Sequence, residues 1–210
     1  MNKRLVLSAG IAVLVGLAGC KAEKETKAPD TDTSVSETVV ETVVSAKPFD
    51  SVALTQILAS QDDKAKARYK ARNPAKTLKF FGITPGMTVV EALPGGGWYS
   101  KILIPYLGDE GKLVGVDYSI DMWPEFGGFA DAEFIENKKT WAADWVEGAQ
   151  EWRSGSEGDI AAFTFGARDT SMDGKADAVL FIRAMHNLSR FEEKGGYMSC
   201  LLYTSDAADD

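Results

Sequence analysis

The feature that most constrains the fold is Met87-Thr-Val-Val-Glu91 running directly into Ala92-Leu-Pro-Gly-Gly-Gly97. A short β-branched run entered through the turn Thr84-Pro85-Gly86 reads as a buried strand. The consecutive glycines allow positive φ and let a ligand approach main-chain N–H groups with no Cβ in the way. Trp98 to Leu107 continues as a helix ending at Gly108, and Lys112-Leu-Val-Gly-Val-Asp117 is a second strand with its acid at the carboxyl end. Ile160 to Phe165 and Ala176 to Ile182 supply a third and a fourth. Strands separated by helices require right-handed crossovers, so the expected fold is α/β, a parallel sheet with flanking helices. Such sheets bind ligands beyond the carboxyl ends of their strands.

Around this centre the pattern is helical. Asp62 and Asp63 precede Lys64, Lys66, Arg68, Lys70 and Arg72, acids first and bases last, as the dipole of a single helix favours. Its basic face is either solvated or turned toward lipid headgroups or an anionic substrate. Asn73-Pro74 then supplies an N-cap and a first helical position, and Gly82 stops that helix. Phe134, Trp141, Trp145 and Trp152 fall at offsets of 7, 11 and 18, which makes one apolar stripe on a crossover helix. Trp123-Pro-Glu-Phe-Gly-Gly-Phe129 has no period and is expected to form a lid on the acceptor side.

Composition limits the function. With 23 Lys and Arg against 31 Asp and Glu, the net charge is −8, a poor match to the phosphate backbone of a nucleic acid. Cys20 and Cys200 make neither a disulfide framework nor a zinc knuckle, and His186 is a solitary histidine, so no metal site is expected. Lys3 and Arg4 precede the apolar run Leu5 to Gly19, which is too short to span a membrane and suits a signal peptide. It ends in Leu17-Ala18-Gly19-Cys20, which resembles the bacterial lipobox. That resemblance implies cleavage, acylation of Cys20 and export to the cell envelope, with Lys21 favouring the outer membrane of a Gram-negative cell. Loss of Lys3 and Arg4 leaves 21 basic against 31 acidic groups, a net charge near −10.

Residues 20–47 lack aromatic side chains and read as a disordered linker, roughly 30 Å in reach. Residues 48–199 form the folded domain. Residues 200–210, Cys200-Leu-Leu-Tyr-Thr-Ser-Asp-Ala-Ala-Asp-Asp210, resemble translated sequencing-adapter read-through, which implies a non-native tail and a domain holding the first four strands only.

Glu91 lies four residues before Gly95, and Asp117 twenty after Gly97 at the end of the next strand, where a carboxylate can accept the two hydrogen bonds of a ribose diol. NAD and S-adenosylmethionine both present that diol. Glu91 beside a loop with no Lys or Arg before Lys101 would repel a pyrophosphate and attract a sulfonium and an ammonium, which favours the methyl donor.

With Pro94-Gly-Gly-Gly-Trp-Tyr99 and Arg183-Ala-Met-His186-Asn187, the chain resembles class I S-adenosylmethionine-dependent methyltransferases. It is more closely similar to a bacterial family of predicted methyltransferases that share a PGGGWY loop and a later R-x-x-H-N segment. The resemblance spans Phe49 to Ser199 and implies a Rossmann-like methyltransferase fold with S-adenosylmethionine as cofactor. It places Glu91 at the methionine amino group, Gly95, Gly96 and Gly97 along the methionine backbone, Asp117 at the ribose, and Arg168 and Asp169 near the adenine. Pro94, Trp98 and Tyr99 complete the cofactor side, and Arg183, Asn187 and Trp123 face the acceptor. Leu93 stands where the wider class has its first loop glycine.

Methyl transfer is an in-line displacement that positioning alone can accelerate, and for a hydroxyl or thiol acceptor His186 is the candidate base. The leading expectation is a lipid-anchored, exported methyltransferase acting on a small molecule. The methyl donor is made in the cytosol, so the alternative is a non-catalytic lipoprotein that binds a small metabolite or an envelope partner in the same crevice.

Overall fold

The computed structural model describes residues 47–167 and 170–195. The leader with Cys20, the linker up to residue 46, Arg168, Asp169 and the 200–210 tail lie outside the described residues. The strands are β1 Thr88–Ala92, β2 Lys112–Asp117, β3 Asp159–Thr164 and β4 Ala178–Leu180. They pair in the order β3-β2-β1-β4, and every pairing is parallel. This is the expected parallel α/β sheet. From β1 the chain steps outward to β2 and β3, then returns past β1 to lay β4 on the other side. That reversal makes a switch point between β1 and β4, where neighbouring connections diverge and leave a crevice beyond the strand ends.

The helices are α1 Ser51–Ser60, α2 Asp63–Lys66, α3 Tyr69–Arg72, α4 Pro74–Phe80, α5 Ser100–Leu107, α6 Ala132–Lys138, α7 Trp141–Ala149, α8 Met185–Arg190 and α9 Glu192–Gly195. Alternation along the strands divides the core in two. Val90, Ala92, Val114 and Val116 pack with Met122, Trp123, Phe163, Leu188 and Phe191. Val89 and Leu113 pack on the other face with Leu54, Leu78, Ile102, Leu103 and Trp145. Glu91, two residues on from Val89, shares that second face and so meets α5.

Pro105 inside α5 has no N–H to give the carbonyl of Lys101, four residues back. The Gln61 side chain fills the gap, its Nε2 donating to that carbonyl at 3.3 Å. The bond ties the end of α1 to the first turn of α5.

Four local expectations are corrected. The single helix over 62–72 is two one-turn helices, with Asp62 capping α2 through a bond accepted from the Ala65 N–H at 2.7 Å. Beyond the break, the Tyr69 hydroxyl donates to the Leu58 carbonyl at 2.8 Å and its ring meets the Trp98 ring edge-on. Packing against α1 and Trp98 thus overrides continuous helix. Asn73 sits at φ 42 and donates its amide to the Lys70 carbonyl at 3.2 Å, so it closes α3 rather than capping α4. The aromatic stripe is divided at Thr140, whose φ of −97 and ψ of 0 separate α6 from α7. Phe134 consequently packs with Trp123 on one face, and Trp141, Trp145 and Trp152 pack on the other. The stretch expected as a lid is instead a 3₁₀ turn, Ile120–Phe126. Its Trp123 is 8% exposed and packs against Tyr118, Phe126 and Phe134.

Candidate functional site

The crevice at the switch point has a volume of about 530 Å³. Its floor is the end of β1 and the glycine turn, with Glu91, Leu93, Pro94, Gly95 and Gly96. One wall is the α2–α3 segment, with Asp62, Lys64, Arg68 and Arg72. Trp98, Tyr99 and Lys101 come from the start of α5, and Ile182 and Arg183 from beyond β4.

Glu91 is 5% exposed and accepts a bond from Ser100 Oγ at 2.6 Å. Desolvation pushes its pKa from 4.5 to about 7, opposed by the Ser100 hydrogen bond and by Arg72. Near neutral pH this carboxyl is therefore shared between its ionised and protonated forms. Arg72 lies 4.5 Å above the Trp98 ring, a cation–π contact. Its carbonyl accepts from Tyr99 Oη at 3.1 Å and from Thr77 Oγ1 at 3.1 Å. Its buried Nε has no hydrogen-bond partner among the described residues. Burial and then Arg68 lower the Arg72 pKa, although guanidinium stays cationic in proteins. Tyr99, expected on the cofactor side, gives its hydroxyl to the Arg72 carbonyl, and its pKa is raised chiefly by burial.

Backbone strain gathers at the same place. Leu93 at φ 56 and Arg183 at φ 64 occupy left-handed geometry at the ends of the adjacent strands β1 and β4. Leu93 thus takes the conformation of a glycine while carrying a Cβ, held there by its N–H donating to the Val116 carbonyl at 2.7 Å. Gly95 at φ 56 uses glycine's freedom directly.

Of the residues singled out in the sequence, Glu91, Pro94, Gly95, Gly96, Trp98, Tyr99 and Arg183 line the crevice. Gly97 does not. A Cβ there would lie 2.4 Å from the Trp152 ring, so the missing side chain makes room for an indole rather than a ligand. Asp117, at the end of β2, is 8% exposed and outside the crevice. One of its oxygens accepts from Lys138 Nζ at 2.7 Å, the other from the Tyr118 N–H at 2.9 Å. Trp123 belongs to the core, and His186 and Asn187 lie on α8 without lining the crevice. Among the described residues, no group of three or more His, Cys, Asp or Glu could hold a metal ion.

The electrostatic expectation is overturned. The loop that seemed free of neighbouring cations faces Lys64, Arg68, Arg72, Lys101 and Arg183, against Asp62 and Glu91. Lys64, Arg68 and Arg72 recur every four residues, a spacing that marks one face of the segment and was visible in the sequence. Arg183 and Lys101 reach them only through the sheet and α5.

No protein-family model matches the chain, and no curated protein does. Among solved structures, one similar to it is described as a SAM dependent methyltransferase from Aquifex aeolicus, at TM-score 0.41 and 20% identity, covering 75% of this chain and 68% of that one. Another is described as CrArsM, an arsenic (III) S-adenosylmethionine methyltransferase from Chlamydomonas reinhardtii, at TM-score 0.28 and 17% identity, covering 63% of this chain and 38% of that one.

Proposed function

We propose that the protein binds S-adenosylmethionine with the donor's amino-acid end in the β1–β4 crevice and transfers its methyl group to a small molecule. The observation that carries this reading is the buried Glu91 carboxyl beside the Arg72 guanidinium, at a glycine turn open on the crevice side. An anionic and a cationic group at one switch point match the ammonium and carboxylate of an amino acid. A Cβ at Gly95 or Gly96 would meet nothing within 4 Å, so a ligand has room there.

When bound, the donor supplies a methyl on a sulfonium, which an acceptor can take without a covalent enzyme intermediate. Glu91 would hold the ammonium, Arg72 would face the carboxylate, and Gly95 and Gly96 would allow the main chain close approach. Asp117 would receive the ribose hydroxyls, and Lys138 must then yield the oxygen it now occupies. Arg168 and Asp169 would lie near the adenine, Arg183 and Asn187 toward the acceptor, and His186 is the candidate base. Cys20 would anchor the exported protein to the envelope by acylation; fatty-acid labelling of the full chain, lost in Cys20→Ser, tests that part.

Calorimetry of the full chain with S-adenosylmethionine tests the reading. Binding is expected, weakened about tenfold by Glu91→Gln. Affinity should fall as pH drops below about 7, because protonation removes the charge that meets the ammonium. No heat, or a Glu91→Gln variant with unchanged affinity, would remove the assignment. The second reading, a non-catalytic lipoprotein binding a small metabolite or an envelope partner, is favoured by the Lys138–Asp117 pair, which closes the ribose position.

A further inference from the structure

We infer that the crevice contains an anion subsite, built by Lys64, Arg68, Lys101 and Arg183 beside the Arg72 that faces the donor, that takes a carboxylate or phosphate group carried by the methyl acceptor. This deepens the methyl-transfer reading and rests on it. The cations come from three separate parts of the fold: the α2–α3 segment, the first turn of α5 and the turn after β4. An acidic chain has carboxylates in excess, yet among the described residues none of these five side chains forms an ion pair. Ion pairs among the described residues include Lys47–Glu110, Lys138–Asp117 and Lys139–Glu136, none of them in the crevice.

The acids within the crevice do not neutralise the cluster. The acids are two against five cations, and Asp62 gives Oδ1 to capping α2. Glu91 is turned to Ser100 and is only partly ionised at neutral pH. Arg72 is held by the Trp98 ring and by bonds to its own carbonyl, and its buried Nε has no hydrogen-bond partner among the described residues. Arg183 lines the crevice and has a left-handed φ of 64.

The amino-acid end of the donor brings one carboxylate along with an ammonium and a nearby sulfonium. Five cations exceed what one carboxylate can balance and would repel the two positive groups. An anionic acceptor removes that repulsion and is drawn to the methyl donor itself. Lining by Pro94, Trp98 and Ile182 encloses the cations in a concave site of small-molecule size rather than on a flat face.

Calorimetry on the full chain with two probes, inorganic phosphate and S-adenosylhomocysteine, tests the inference. Phosphate should bind saturably and more weakly as salt rises. Arg68→Gln and Arg183→Gln should each reduce phosphate affinity about tenfold, while S-adenosylhomocysteine affinity changes less than about threefold. Lys79→Gln, outside the crevice on α4, should change neither. Both arginines are exposed, so thermal melts of the variants should overlay the parent's. Absence of phosphate binding, or binding indifferent to both variants, would overturn the subsite. So would S-adenosylhomocysteine affinity falling in step with phosphate, which would make the cations the seat of the donor's own carboxylate. Phosphate binding as expected with no S-adenosylhomocysteine binding would instead remove the methyl-transfer reading and leave the anion-binding crevice without a methyl acceptor to serve. Tight S-adenosylhomocysteine binding with no phosphate binding would do the reverse.

Discussion

Glu91 and Asp117 end neighbouring parallel strands, and both are nearly buried, yet the fold treats them oppositely. Asp117 meets a cation at 2.7 Å and a backbone N–H at 2.9 Å, and Lys138 in turn lies 4.4 Å from the Trp123 ring centroid. Glu91 meets a neutral hydroxyl at 2.6 Å, and burial raises its pKa to about 7. One strand end is closed by an ion pair. The other is buried against a neutral hydroxyl in a crevice lined by cations. The difference teaches that an acid at a strand end is not by itself a ligand site, because its partner decides whether it is satisfied or poised.

The comparison breaks most strongly at the satisfied end. Lys138→Ala leaves Asp117 with an unpaired charge and removes the contact with Trp123, and urea unfolding should show a loss of about 3 kcal/mol. Asp117→Asn combined with Lys138→Met should recover most of it; an equally unstable double variant would show that packing, not the ion pair, carries the effect.

At the poised end, the sign reverses. The folded Glu91 pKa lies above the unfolded value of 4.5, so the folded state holds a proton that the unfolded chain releases. Its stability contribution is complete below about pH 4.5 and is lost as pH rises through about 7. Glu91→Gln should therefore stabilise the unliganded protein at pH 8 by about 2 to 3 kcal/mol and flatten the pH dependence between these values. Identical melting curves for parent and variant from pH 5 to pH 8 would count against a raised carboxyl.

Ser100→Ala sharpens the contrast further. Without the bond that now favours the ionised form, Glu91 should titrate higher still, with a stability cost of about 1 kcal/mol. NMR titration of the Glu91 carboxyl carbon checks the direction. The smallest effect belongs to Leu93→Gly, which relieves left-handed strain and should be stabilising by up to about 1 kcal/mol, offset in part by glycine's chain entropy.

Much of the fold was legible along the chain. The strand Lys112–Asp117 falls where its residues predict, and β1, β3 and β4 differ from their expected spans mainly at the ends. These segments depend on neighbouring residues alone: β-branched runs, glycine punctuation and the alternation of strand with helix. The helix expected over 62–72 failed because Tyr69 found better partners in Leu58 and Trp98 than a continued helix offered. Gly97 was read as a ligand contact because nothing nearby in sequence announced Trp152. In the crevice, the glycine turn, Glu91 and the basic run from Lys64 to Arg72 were visible, but not the meeting of that run with Lys101 and Arg183.

The sequence by itself determined the parallel α/β sheet and the placing of a glycine turn and an acid at the end of its central strand, since local sterics and burial set both. Only the tertiary structure decided what each acid meets. Lys138 reaches Asp117 across 21 positions, and Arg183 joins Arg72 because β4 returns beside β1. Electrostatic energy depends on distance in space and on desolvation, and neither is fixed until the chain has crossed the sheet and closed over itself.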